Sequence, residues 1–189
     1  MILYNKNQND IIEAYELDMV FENKPINRLT TKLKVEDKYS QLNILREKIQ
    51  NLKNCELKDN AKNFVFNDGD PDSKIMIIGE GPGKMEDEMG KPFVGDAGKL
   101  LDKMFKAINI SRDKIYITNV VNYRPPNNRK PEASEIIKYS FFLKKHIEII
   151  NPKIVILLGS TAMEALLGSN MKITKERGNW LEIKINNKS

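Results

Sequence analysis

Residues 79–83, GEGPG, form a glycine-rich turn directly after an apolar run, and side chains that could do chemistry follow closely. Glu80, Glu86 and Asp87 supply carboxylates, and one of them could orient a water molecule. Phe93 lies between turn residues, off any helical face, so its ring is available for stacking. Glycines let a backbone approach a ligand closely. Such a loop could hold a nucleotide phosphate, a flat nucleobase or no ligand.

The spacing of the loop argues against a phosphate. A Walker loop has four residues between its first glycine and Gly-Lys, and Ser or Thr follows the lysine. Here Gly79 and Gly83 enclose three residues, and Met85 follows the lysine. No third glycine completes a dinucleotide fingerprint after Gly79 and Gly81. In both motifs a helix begins at once, whereas the first helix after this loop is expected only at Asp96.

A flat base fits the same residues better. Asn119 follows a predicted strand, and its side-chain amide carries one donor group and one acceptor. That pair matches O4 and N3–H of uracil, whereas cytosine presents the reverse pattern. Plainer interpretations stay open: Phe93 could fill the core, Asn119 could bond its own backbone, and Asp87 is better explained as a solvated loop residue.

The elements that position these residues follow from hydrophobic patterning. Strands are predicted at 74–78, 114–121, 153–159 and 180–185, and helices at 38–53, 96–109, 132–150 and 160–168. Residues 67–73, NDGDPDS, are predicted to be a turn. Alternating strands and helices indicate an α/β fold, a mainly parallel sheet of four strands with helices on both faces. Gly79, Asn119 and Ser160 should converge where parallel strands end.

Composition sets the class of protein. The 189 residues fit one domain, expected at 38–189, with a partly irregular extension at 1–37. There is no apolar run of 18 residues and no secretory signal, and Cys55 is the single cysteine. A cytoplasmic protein without membrane association is expected. Residues 138–189 hold nine Lys or Arg and four Asp or Glu, a basic balance that suits a polyanion.

Four blocks of sequence resemble a known family. They are GEGPGKMEDEMGKPFVGDAGKLL, YITNVVNYRPPNNRKP, KIVILLGSTAMEALLG and KERGNW, in that order between residues 79 and 180. Together they resemble the uracil-DNA glycosylase superfamily, and most closely its family 4. The resemblance implies a three-layer α/β/α fold. It also implies hydrolysis of the N-glycosidic bond of uracil in DNA, the first step of base excision repair.

The resemblance also assigns roles to individual residues. Glu80 and Gly81 would line the uracil pocket, Glu86 would position the water, Phe93 would stack on the base and Asn119 would read its edge. The implied partner is uracil-containing DNA, and a monomer is expected. The residues expected to contact DNA are Arg124, Asn128, Arg129 and Ser160.

Two features depart from the family. Family 4 holds an iron–sulfur cluster on four cysteines, and the corresponding positions here are Leu52, Cys55, Tyr123 and Tyr139. One thiolate cannot hold a cluster that needs four, so no cluster is expected. The residues at the other three positions should fill its place as an apolar plug. Cys55 is either a relic ligand or a small buried residue. The family's C-terminal His-Pro-Ser motif does not occur in residues 1–189, so either the chain is truncated or the motif has been lost. The sole histidine, His146, is expected on a helix surface.

The missing motif leaves three functions open. The first is a family 4 glycosylase whose activity the loss impairs, since one transition-state donor contributes about 100- to 1000-fold in rate. The second is a non-catalytic module that binds uracil-containing or single-stranded DNA. The third is a decayed remnant without activity.

Overall fold

The computed structural model describes residues 37–183. Most of the predicted extension, including a helix expected near residues 9–20, and the end of the last predicted strand lie outside that range. The helices are α1 Lys38–Gln50, α2 Glu56–Asn60, α3 Lys84–Met89, α4 Asp96–Ala107, α5 Ala133–Ile150, α6 Ser160–Leu167 and α7 Ile173–Glu176. The strands are β1 Asn67–Gly69, β2 Ile75–Gly79, β3 Tyr116–Asn119 and β4 Ile154–Leu157. None of the helices within this range is long and apolar enough to cross a membrane.

The four strands form one sheet in the order β1-β3-β2-β4. Strand β2 pairs in parallel with both β3 and β4, and β1 pairs antiparallel with β3. Side chains alternate across the sheet, so Met76 and Ile78 join the core beneath α1 and α5, whereas Ile77 joins a second core with Leu101 and Phe105 of α4. The predicted three-layer α/β/α fold with a mainly parallel sheet is therefore confirmed.

The prediction for the fourth strand was wrong. Residues 180–183 form no strand, and the place is taken by β1, in a segment predicted to be a turn. Asn, Asp and Gly are rare in strands, but Asn67 and Asp68 pair with Thr118 and Ile117 of β3. Tertiary pairing overrides local preference here. Gly69 then ends the strand at a positive φ of 88°, which suits glycine.

The helices begin and end close to where the sequence indicates. Asp37 caps α1 by accepting a hydrogen bond from the Ser40 backbone N–H at 2.9 Å. Asn109, just beyond the end of α4, and Asn151, at the C-terminus of α5, adopt left-handed backbone conformations. The apolar face predicted for α4 is only partly buried: Leu101 and Phe105 are buried, and their neighbours at 100, 104 and 108 are exposed.

His146 does not lie on a helix surface as predicted. It is buried in α5, with its Nε2 atom 2.6 Å from the Tyr116 hydroxyl and its ring stacked on Phe66 at 4.7 Å. Burial lowers the pKa of His146 to about 3. The helix turns this position toward the sheet, so the imidazole is a neutral core group.

Candidate active site

A cavity of about 530 Å³ opens beyond the carboxyl ends of β2 and β3. This is where open parallel sheets bind ligands. It contains all five residues predicted to be catalytic or to bind uracil. The lining residues are Gly79, Glu80, Gly81, Gly83, Glu86, Phe93, Ala97, Leu100, Leu101, Met104, Asn119 and Leu158. The predicted convergence of strand ends holds for Gly79 and Asn119, whereas the residue that lines the cavity just after β4 is Leu158 rather than Ser160.

The glycine loop is fixed to the segment that follows β3. The backbone N–H of Val120 donates to the Gly79 carbonyl at 2.9 Å, and that of Val121 donates to the Glu80 carbonyl at 3.2 Å. The parallel pairing of β2 and β3 thus continues past both strands. Gly81 packs so closely that a Cβ there would lie 2.7 Å from Cγ2 of Val121. A backbone held this rigidly can present its N–H groups to a ligand in a fixed geometry.

Gly79 determines how two side chains enter the cavity, whereas the sequence predicted only that Gly79 lies at a strand end near the site. A Cβ at Gly79 would lie 2.5 Å from both Oδ1 of Asn119 and Cζ of Phe93. Only glycine leaves space for both groups. The signal in the sequence was a glycine at the end of a buried strand, which also fits an ordinary turn.

Asn119 presents an amide without a partner. The residue is only 3% exposed, yet its side chain makes no hydrogen bond to any residue in 37–183. Every fully buried side-chain nitrogen or oxygen in that part of the chain has a hydrogen-bond partner. Because the Asn119 amide has none, it is not fully buried and remains accessible from the cavity. The alternative that Asn119 bonds its own backbone is not what the structure shows.

The Phe93 side chain contacts both the cavity and the core. Its half-buried ring lines the cavity and packs against the core that contains Ile77 and Leu101. The backbone of Phe93 has a φ of 52°, a conformation that is uncommon for a bulky residue. An outlier of this kind beside a cavity is typical of a functional loop.

The Glu86 carboxylate joins the two loops that form the cavity wall. Its Oε1 accepts from the backbone N–H groups of Val94 at 2.9 Å and Gly95 at 2.8 Å, and its Oε2 accepts from that of Gly83 at 3.1 Å. A carboxylate has about four acceptor positions. Partners within residues 37–183 occupy three of them, which leaves one on Oε2 for a water.

The expectation that no helix follows the loop before Asp96 was wrong, because α3 begins at Lys84. A phosphate is nevertheless disfavoured at this loop. The Glu86 carboxylate already binds the Gly83 N–H, so a phosphate there would meet a negative charge.

The next helix, α4, begins at Asp96 as expected. Its N-terminal cap is Gly95, the residue before Asp96.

The other two acids have different surroundings. Glu80 is exposed, and its Oε2 accepts a short hydrogen bond from the hydroxyl of Thr161 in α6. Asp87 is not a solvated loop residue as predicted. It is 2% exposed, and its Oδ1 accepts from the backbone N–H groups of Lys62 at 2.9 Å and Asn63 at 3.0 Å. Asp87 therefore anchors α3 to the preceding chain.

The residues predicted to contact DNA lie outside the cavity lining. Arg124 Nε donates to Oδ1 of Asn128 at 2.7 Å. Arg129 forms a two-pronged ion pair with Glu135, with both nitrogen–oxygen distances at 2.8 Å, and this contact raises the pKa of Arg129. Ser160 begins α6. The Arg129 side chain thus forms an ion pair within the protein. The DNA-binding role of all four residues stays a prediction.

The four positions that the resemblance gives to cluster cysteines form part of the core. Cys55 Sγ lies 3.4 Å from the Tyr139 hydroxyl, and Tyr123 packs against Phe64 with ring centroids 5.1 Å apart. Leu52 packs against the same core. Burial raises the pKa of Tyr139 and of Tyr123. One thiol among two phenols and an alkyl group does not fit an iron–sulfur cluster, which is held by four thiolates.

The chain thus has a three-layer α/β fold with a cavity of about 530 Å³ beyond its parallel strands, and these features define its class of protein. The model of the uracil DNA glycosylase superfamily matches residues 66–186, and the chain is a member of that superfamily.

Several curated relatives are called type-4 uracil-DNA glycosylases. The chain is 43% identical to the one from Thermotoga maritima over 144 residues, which are 74% of this chain and 75% of that protein. It is 45% identical to the one from Sulfurisphaera tokodaii over 139 residues, 71% of this chain and 63% of the relative. A type-5 uracil-DNA glycosylase from Pyrobaculum aerophilum is 32% identical over 116 residues, 52% of this chain and 50% of the relative.

Proposed function

We propose that this protein is a uracil-DNA glycosylase of the type-4 kind, which hydrolyses the bond between uracil and deoxyribose in DNA and so begins base excision repair. The observation that carries the proposal is the Asn119 side-chain amide, which faces the cavity in a residue only 3% exposed and makes no hydrogen bond within residues 37–183. Its donor and acceptor are therefore available to a ligand in the cavity. The edge of uracil supplies one acceptor and one donor in matching positions.

Recognition of uracil requires the base to leave the DNA stack. Extrusion costs a few kcal/mol, and stacking on an aromatic ring contributes about 1–3 kcal/mol per base. Phe93 provides that ring, and Asn119 Nδ2 would donate to uracil O4 while its Oδ1 accepts from N3–H. In that orientation of the amide, cytosine would place a donor against a donor and an acceptor against an acceptor.

Hydrolysis separates charge at the glycosidic bond. The bonding electrons leave with uracil, whose negative charge spreads over O2 and O4, and a cation develops on the sugar. The Gly81 N–H has no acceptor within residues 37–183 and can stabilise the charge on O2. His146 cannot take that role, because it is bonded to Tyr116 inside the core. The remaining acceptor position on Glu86 would hold the water that attacks the sugar carbon.

Single-turnover excision on a uracil-containing oligonucleotide, single- and double-stranded, tests the proposal. Alkali cleavage of the abasic product is the readout, and the Asn119→Ala variant controls for a contaminating host enzyme. Cleavage that Asn119→Ala abolishes supports a glycosylase. No cleavage at high enzyme excess, together with salt-sensitive binding that Phe93→Ala abolishes, would instead support a non-catalytic module.

We further propose that the protein works without an iron–sulfur cluster. The support is chemical, since one thiol lies among Leu52, Tyr123 and Tyr139. Iron and sulfide analysis of protein purified without oxygen tests this, and a stoichiometric cluster would contradict it. The matched variant carries Leu52→Cys, Tyr123→Cys and Tyr139→Cys together. Uptake of iron by that variant alone would show that the missing thiolates account for the difference.

A further inference from the structure

The loop that carries Phe93 needs support, because the ring can stack on a base only if its backbone is held. Phe93 occupies a left-handed conformation, with a φ of 52°. It is also in tight contact with α4, since a Cβ at Gly98 would lie 1.9 Å from the Phe93 carbonyl oxygen. Because of this backbone conformation and this close contact, small movements of residues 92–93 would displace the Phe93 ring from its position next to Gly79.

Arg112 provides the support. Its Nη2 atom donates to the Pro92 carbonyl at 2.6 Å, and its Nη1 atom donates to the Phe93 carbonyl at 3.0 Å. Two consecutive carbonyls thus bind one planar guanidinium, a geometry that the single ammonium of lysine cannot reproduce.

The guanidinium is itself anchored on two elements. Its Nε atom donates to Asp68 of β1 at 2.7 Å, and Nη1 also donates to Asp102 of α4 at 2.9 Å. The Arg112 side chain is 24% exposed and is not part of the cavity lining. Arg112 therefore joins the edge strand, α4 and the Phe93 loop without touching the ligand space.

We infer that Arg112 is a positioning residue that holds the Phe93 ring at the angle and depth needed to stack on a uracil base. The inference rests on the proposed function, because it concerns the same pocket. Because Arg112 acts through Phe93, its contribution to base binding and excision should vanish when the Phe93 ring is absent.

Base binding provides the first test, since it does not require excision. The probe is 5-fluorouracil, followed by ¹⁹F NMR, because the ring current of a stacked phenyl group moves the fluorine signal upfield. The wild-type protein should show this shift, Phe93→Ala should abolish it, and Arg112→Gln should reduce it and weaken binding. Arg112→Lys should be intermediate. Lys38→Gln is the matched control, because Lys38 also binds a carboxylate and two backbone carbonyls but lies away from the cavity.

A double-mutant cycle provides the second test. In single-turnover excision, Arg112→Gln should cost about 10- to 100-fold, the size expected for a misplaced reacting group. In the Phe93→Ala background the same substitution should cost nothing more. If Arg112→Gln does not fold, Asp102→Ala releases one anchor of the guanidinium and should give a smaller loss with the same dependence on Phe93.

The outcomes separate this inference from the proposed function. Equal losses in both backgrounds, or an unchanged fluorine shift in a folded Arg112→Gln protein, would overturn the positioning role. Binding of 5-fluorouracil without excision would contradict the proposed activity. The fluorine shift in the Arg112→Gln protein, compared with the wild type, would then still test the positioning role of Arg112. Absence of both binding and excision in the wild-type protein would overturn both.

Discussion

Asn119 and Asn122 lie three residues apart and are equally buried at 3% exposure, yet their side chains have different surroundings. Asn122 Nδ2 donates to the Val65 carbonyl at 3.0 Å, in the core. Asn119 faces the cavity and has no side-chain partner in the described part of the chain. Buried polar groups in folded proteins are normally paired. The difference indicates that Asn122 stabilises the fold and that Asn119 keeps its hydrogen-bonding capacity for a ligand.

Removal of the Asn119 amide should have the largest effect on activity. Asn119→Ala is expected to lower single-turnover excision of uracil by about 100- to 1000-fold, the cost of losing one preorganised group at a developing charge. The melting temperature should not fall, because no partner within the protein is left unsatisfied. Excision kinetics and thermal unfolding of the same preparation measure both effects. A variant with normal excision would refute the role given to Asn119.

Gly79→Ala should disturb the site without unfolding the protein. The added Cβ would meet Asn119 and Phe93 at 2.5 Å, and both groups are side-chain ends that can move. Excision is expected to fall about 10- to 100-fold, because both base-contacting groups are displaced.

The Asn119→Ala background is the control for that variant. There the added Cβ should cost less, since one of the groups that it displaces is already absent. A full loss in both backgrounds would mean that Gly79→Ala damages the strand rather than the position of these side chains.

Asn122→Ala should show the reverse pattern to Asn119→Ala. It leaves the Val65 carbonyl without its side-chain donor and should lower the free energy of unfolding by about 1–3 kcal/mol. Excision per folded molecule should be unchanged. Urea denaturation measures the first quantity and single-turnover kinetics the second. The comparison of the two asparagines would fail if Asn119→Ala destabilised the protein as much as Asn122→Ala.

The sequence predicted the residues that line the cavity better than those that hold them in place. Phe93 and Asn119 could be identified because an isolated aromatic residue in a turn and an amide after a buried strand are unusual. The support by Arg112 and Gly79 could not be predicted, since it depends on contacts between residues far apart in the chain. The same limit explains β1, whose turn-forming residues become a strand only through pairing with β3.

His146 shows a second limit of sequence reasoning. Lysines precede it in the segment FFLKKHIEII, so the local composition suggests a solvated face. Helical geometry nevertheless places His146 with the buried residues Leu143, Ile147 and Ile150 of α5. A single histidine is compatible with either face, and only the position of the sheet decides between them.

The predicted effect that is smallest near neutral pH is a pH dependence of stability that arises from His146. Burial lowers its pKa to about 3 in the folded protein, whereas an exposed histidine titrates near 6.5. Between these values the unfolded chain binds a proton that the folded protein does not. The free energy of unfolding should therefore fall between about pH 6.5 and pH 3, with a slope that approaches about 1.4 kcal/mol for each pH unit, and this loss should be absent at higher pH.

Carboxylates also titrate in that range, so the His146→Gln variant is needed to isolate the contribution. Glutamine cannot titrate but can still bond the Tyr116 hydroxyl, which lies 2.6 Å from Nε2 of His146. Urea denaturation at pH 7, 6 and 5 should show that the wild-type protein loses more stability than the variant as the pH falls. Parallel profiles would mean that His146 is protonated in the folded state. They would contradict its assignment as a neutral core group.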